Sequence, residues 1–172
     1  MPITSQERDF ADKLLRDSLA GLRAAVETLE PEGWQSRRGG WSVLQVVEHC
    51  YVVEVGIIRK IPTMPPPSGM RADRDEKIVG WIRDRSTKVE APPGVVPEGR
   101  TADPSELLTK LGRLREKTLA WLHDPAAEHR AHAMEHPFLK LLDGYQWLLM
   151  IGAHMERHTA QIREILDAPE AG

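Results

Sequence analysis

Cysteine is almost missing from this chain. Cys50 is the one thiol among 172 residues, which excludes an internal disulfide framework and fits a reducing, cytoplasmic setting. Charge of one sign is also missing: 23 Lys and Arg stand against 26 Asp and Glu, a net charge of -3. With no basic field to hold phosphates, nucleic acid is not an expected partner. Long hydrophobic runs are absent too. The greasiest stretch, residues 145–153, is cut short by His154 and Glu156, so nothing reaches the roughly 18 apolar residues of a membrane span. The first residues turn at once into a charged amphipathic stretch without the apolar run of a signal peptide. No glycine-rich nucleotide motif, no Gly-x-Ser-x-Gly elbow and no internal repeat is present.

What remains is an ordinary globular composition, 41% hydrophobic and 28% charged. The length suits one domain, expected over residues 1–172, and it is enough to bury a core without disulfides or a structural metal.

Four segments carry helical periodicity. The first, residues 4–29, opens with Thr4 and Glu7 at capping-box spacing and lines up Phe10, Leu14, Leu15, Leu19, Leu22, Val26 and Leu29, before Pro31 and Gly33 stop it. The second, residues 42–61, opens with Ser42 and Gln45 and is apolar nearly all round. Its many β-branched residues would also suit a strand, but its length favours a helix. The third, residues 104–122, follows an Asp103-Pro104 start. The fourth, residues 144–166, starts from Asp143 with Gln146 three residues on, and residues 168–172 are expected to fray. A proline-rich connection links the second and third helices, with a short helix expected over residues 73–84. These features predict an all-α four-helix bundle with one long crossover.

Histidine placement carries the chemistry. His154 and His158 lie one turn apart and roughly 40° apart around the helix axis. Both fall on the inward row Trp147, Ile151, His154, His158, Ile162, Ile165. Burying two imidazoles without partners costs about 1 to 3 kcal/mol each. A shared metal ion would satisfy both; the alternative is two separate core histidines held by polar neighbours. His49 occupies a similar inward row on the second helix, between Val46 and Val53. Three nitrogen ligands leave coordination positions open, the layout of a catalytic site, and Zn²⁺, Ni²⁺, Fe²⁺ or Mn²⁺ would all accept them.

Several motifs coincide with these residues: Gly40-Trp41-Ser42 through Glu48-His49, the Pro97-Glu98-Gly99-Arg100 approach to the third helix, His136-Pro137-Phe138 running into Tyr145-Gln146-Trp147, and the run from His154-Met155-Glu156-Arg157-His158 through Gln161-Ile162. In these the chain resembles the DinB/YfiT-like metalloenzymes. The resemblance implies a four-helix bundle, often dimeric, with a divalent ion on His49, His154 and His158. It also implies a thiol-dependent S-transferase-like reaction on a small electrophile, with a low-molecular-weight thiol such as bacillithiol or mycothiol. Metal-dependent hydrolysis of an amide or ester is the alternative reaction. A non-catalytic metal- or ligand-binding stress protein is the alternative class.

The remaining candidates have simpler readings. His129, His132 and His136, beside Glu128 and Glu135, lack a thiolate and fit no familiar zinc spacing, so a solvated loop is expected. Glu48, Glu54 and Glu156 could serve as general base or support a ligand, but solvated helix faces account for them. Gln161 is read in the same way, as a surface amide that could instead orient a ligand. Cys50 reads as inert packing. Trp34, Trp41 and Trp147 are core residues unless they line a pocket mouth.

Overall fold

The structure, a computed structural model, describes residues 2–66 and 74–167. Its elements in chain order are α1 (Ser5–Val26), α2 (Pro31–Gln35), α3 (Val43–Lys60), α4 (Asp75–Arg83), α5 (Pro104–His123), β1 (Ala133–His136), β2 (Lys140–Asp143) and α6 (Gly144–Leu166). The four long helices begin where their caps dictate. Thr4 with Glu7, Ser42 with Gln45 and Asp143 with Gln146 each form a reciprocal capping box. Asp103 accepts from the amides of Ser105 and Glu106, with Pro104 opening α5. The β-branched α3 is helical because its apolar residues meet partners on several sides, and tertiary burial outweighs propensity.

Helix α6 packs against α1, α3 and α4, while α5 packs against α1 and α3. The long helices therefore close a ring in the order α1, α6, α3, α5, and α4 covers an outer side of α6. Helices α1 and α6 approach closely at Gly152, where an added Cβ would lie 2.6 Å from Leu14 Cγ. The apolar core forms two clusters, one holding Leu15, Ile57, Leu148 and Ile151, the other Leu22, Val47, Leu111 and Ile162. At their junction Arg115 and Glu54 form a buried ion pair.

Three expectations need correction. Helix α1 ends at Val26, not at residue 29, because the chain turns there to enter the short, proline-started α2. Phe10 lies off the packed row and is 45% exposed. The segment before α6 is an antiparallel hairpin, β1 with β2, in register Ala133↔Asp143 to His136↔Lys140. Its turn depends on Lys140 in a left-handed conformation (φ 64°), a position where sequence signals favour glycine or asparagine. The expected helix over residues 73–84 is α4, although Asp73 lies outside the described residues, as do Pro67 and residues 168–172.

The long crossover is stitched to the bundle. Arg85 pairs with Glu164 at 2.6 Å, and Arg157 donates to the carbonyls of Ile82, Asp84 and Thr87. Further along, the Glu48 carboxylate accepts from the amides of Gly99 (2.9 Å) and Arg100 (2.7 Å). No helix among the described residues is long and apolar enough to cross a membrane.

Candidate metal centre

Because α3 and α6 are neighbours in the ring, the inward row of one faces the inward row of the other. His49 from α3 and His154 and His158 from α6 meet there. Nε2 of His154 lies 3.1 Å from Nε2 of His49 and 3.2 Å from Nε2 of His158. Taking one ligand atom from each ring, all three atoms fall within 4.8 Å of one another. The Trp41 ring stacks obliquely on His49 at 4.8 Å and walls one side.

The outer nitrogens decide what the inner ones can do. The Nδ1–H of His49 donates to the Val95 carbonyl at 2.7 Å, and the Nδ1–H of His158 donates to Gln161 Oε1 at 2.8 Å. A carbonyl oxygen only accepts, so in both neutral rings the proton sits outside and the Nε2 lone pair faces inward. A proton on His154 Nε2 could bridge to one neighbour, leaving the other pair lone pair against lone pair. Extra protons are no remedy: burial pushes His158 down to about 3 and His154 well below its ordinary value, and it also lowers His49. A divalent cation resolves the conflict. Metal–nitrogen distances of roughly 2.0–2.1 Å set two nitrogens on one ion roughly 3 Å apart, matching the two spacings to His154. The donor set therefore fits an imidazole-accepting divalent metal. Among the described residues these three form the group that could hold one.

A model of the DinB superfamily matches residues 14–162. The chain belongs to the DinB superfamily. A curated relative, the uncharacterized protein YuaE of Bacillus subtilis (strain 168), is 25% identical over 130 residues, covering 76% of this chain and 80% of YuaE. A solved structure, YfiT from Bacillus subtilis, superposes with a TM-score of 0.65 at 26% identity, over 95% of this chain and 88% of its own. YfiT is described as a probable metal-dependent hydrolase with an unusual four-helix bundle topology.

In this DinB bundle Glu48 and Glu54 are buried and paired, contrary to the expectation of solvated faces, while Glu156 keeps to the surface as expected. Glu48 is 2% exposed and clamps the Gly99–Arg100 backbone; Glu54 is bound to Arg115. Glu156 points away and pairs with Arg83 of α4. Gln161 is not a free surface amide, since it holds His158. Cys50 is buried packing, its thiol pushed up to about 12 by burial and the Glu54 charge. Trp34 belongs to the second apolar cluster.

The second histidine group does not converge. His129 Nε2–H donates to the Trp121 carbonyl (3.0 Å), His132 Nδ1–H to the Met64 carbonyl (2.7 Å), and His136 Nδ1 accepts from the amides of Phe138 and Leu139. The expected solvated loop is a hairpin fastened by these rings. Sequence reasoning misses Val95 and misplaces Glu48, which it names as a possible support for a ligand but reads as solvated. A backbone carbonyl leaves no sequence signal. Glu48 did leave one, as a carboxylate inside a nearly all-apolar helix, which must be paired when buried.

Two predictions follow from this geometry. Replacing Glu48 by Ala frees the segment that carries Val95 and loosens the hold on His49 Nδ1. Metal affinity is expected to drop about 10–100-fold, as when outer partners of metal-bound histidines are removed, which competition with a chromogenic chelator measures. The second concerns acid. The folded pKa values of these rings lie below the unfolded value, so unfolded chains take up protons that the fold refuses as pH falls below about 6.5. The metal-free protein should lose stability from there down to about 3, by at most about 1.4 kcal/mol per pH unit for each ring. Urea melts at pH 7 and 5 should show a smaller loss in His158→Gln than in wild type.

Proposed function

We propose that this protein is a metal-dependent enzyme that presents an ionised small nucleophile to a small electrophilic substrate, with His49, His154 and His158 as ligands of a divalent ion. One observation carries the reading: the Nε2 atoms of His49 and His158 both lie about 3 Å from Nε2 of His154, all three ligand atoms fall within 4.8 Å of one another, and Val95 and Gln161 keep two of the ring protons outside. When bound there, the ion supplies open coordination positions at which a thiol or water ionises near neutral pH. The chain's own residues keep the rings oriented and neutral. Trp41 shields His49 on one side.

The reaction class we favour is transfer of a low-molecular-weight thiol to the electrophile. Glu48, Glu54 and Glu156 are all occupied by other partners, so none is free to act as general base. A thiol, with an ordinary pKa near 8.5, ionises without such help more readily than water does. Hydrolysis of an amide or ester is the second reading, favoured by the likeness to YfiT.

The test compares metal-loaded with chelator-stripped protein on panels of alkyl and epoxide electrophiles and of amides and esters, each with and without added thiol. Turnover is expected to require metal and to rise with thiol. Metal-dependent turnover that ignores thiol removes the transfer and leaves hydrolysis. Equal rates from loaded and stripped protein would sink both.

A further inference from the structure

Two turns from His154, α6 carries a buried hydrogen-bond donor with no acceptor among the described residues. Trp147 is 4% exposed and its Nε1–H has no partner among the described residues. At roughly 100° and 1.5 Å per residue, Trp147 falls in direction on the midline between His154 and His158, about 10 Å from His154 and about 16 Å from His158 towards the start of α6. An unpaired buried donor is costly, and native proteins keep few of them.

A second donor stands beside it. The His136 ring lies 5.4 Å from the Trp147 ring, and its Nδ1 accepts from the amides of Phe138 and Leu139, each at 3.2 Å. In the neutral ring the proton therefore sits on Nε2, which makes no hydrogen bond among the described residues.

The opposite wall comes from α3, which runs antiparallel to α6. The turn that ends α3 accepts from the hairpin, through Met64 to His132 and Pro65 to Ala133, and the hairpin leads directly into α6. Gly56 lies on the His49 row, seven residues further along, and so at the level of Trp147. A Cβ placed on Gly56 would meet nothing within 4 Å. That position faces open space.

We infer that Trp147 and His136 form a second anchoring point for the substrate, taking a carbonyl or carboxylate oxygen of an elongated small molecule whose other end reaches the triad. The inference rests on the proposed metal reading for where the reacting end sits. Two neutral donors, with no cation shown between them among the described residues, select an oxygen acceptor, and their distance from the triad selects its position in the molecule.

The test uses ω-mercaptocarboxylates, whose thiol reaches the metal and whose carboxylate reaches the donors only when the chain is long enough. Cobalt-loaded protein is titrated with 8-mercaptooctanoate and 3-mercaptopropionate, following the cobalt visible spectrum. The indole N–H signal of Trp147, assigned by its loss in Trp147→Phe, is followed in parallel, in metal-free protein as well. The long probe is expected to bind roughly tenfold more tightly than the short one and to shift the indole signal. Trp147→Phe and His136→Gln should abolish that preference while leaving metal content and affinity for the short probe unchanged. Gly56→Leu, a helix-favouring change that removes no donor, should block the long probe alone. An indole signal that neither probe moves in fully loaded protein, or a length preference that survives all three variants, overturns the inference. Protein that takes up no cobalt, yet shows the indole shift with the long probe, refutes the metal reading and retains the anchoring point.

Discussion

His154→Ala is expected to leave the protein unable to retain a divalent metal through dialysis, as measured by elemental analysis beside wild type. Its Nε2 is the central atom of the triad, 3.1 and 3.2 Å from the other two. Removing an outer partner of a metal-bound histidine costs roughly 10–100-fold in affinity, and removing the central ligand should cost more. The variant also separates a metal role from a packing role. In metal-free wild type His154 can bridge to only one neighbour and faces the other lone pair to lone pair, so trimming His154 relieves that conflict. The metal-free variant should therefore melt no lower than metal-free wild type. Wild type alone should gain stability on adding metal, by about 2.7 kcal/mol at a hundred times its Kd. Full metal content in the folded variant would show that the triad is not the site.

Much of this site was legible because helical spacing translates directly into direction. His154 and His158 sit four apart on a row that otherwise reads Trp147, Ile151, Ile162, Ile165, and a polar pair on a buried row demands a partner. His49 occupied the equivalent row of α3, and each helix start carried a side-chain cap that fixed its boundary. Illegible were the features that depend on how separate segments meet. The Val95 carbonyl belongs to every residue type equally, so only the folded crossover reveals that it fixes the His49 proton. Glu48 and Glu54 looked like solvated carboxylates because their partners lie 51 and 61 residues away, on the crossover and on α5. The hairpin escaped because its turn uses Lys140 at positive φ, and its short strands are held by contacts to the end of α3.

The buried charge pair that spacing could not reveal should give the largest stability effect in the molecule. Arg115 and Glu54, each 1% exposed, are joined by two parallel hydrogen bonds of 2.9 Å. The guanidinium also donates to Ser18 Oγ (3.1 Å), to the Leu15 carbonyl and to Met155 Sδ (3.4 Å), while Thr118 donates to Glu54 Oε1 at 2.7 Å. One network thus touches α1, α3, α5 and α6 at a single level, between the two apolar clusters. Arg115→Leu strands a carboxylate where water does not reach, and breaking such a pair costs about 3–5 kcal/mol. For a chain of this size that corresponds to a fall in melting temperature of about 2–4 °C for each kcal/mol. The double variant Arg115→Leu with Glu54→Met removes both charges, and its loss should be far smaller than that of the single variant, since an apolar pair of similar volume often replaces a buried ion pair without penalty. Helix register should survive in it, because Gly152 against Leu14 and the apolar clusters also align the helices, so His49 still meets His154 and metal uptake stays near wild type. A single variant that loses less than about 1 kcal/mol would contradict the buried-pair argument. A stable double variant with depleted metal would instead show that the ion pair itself sets α3 against α6.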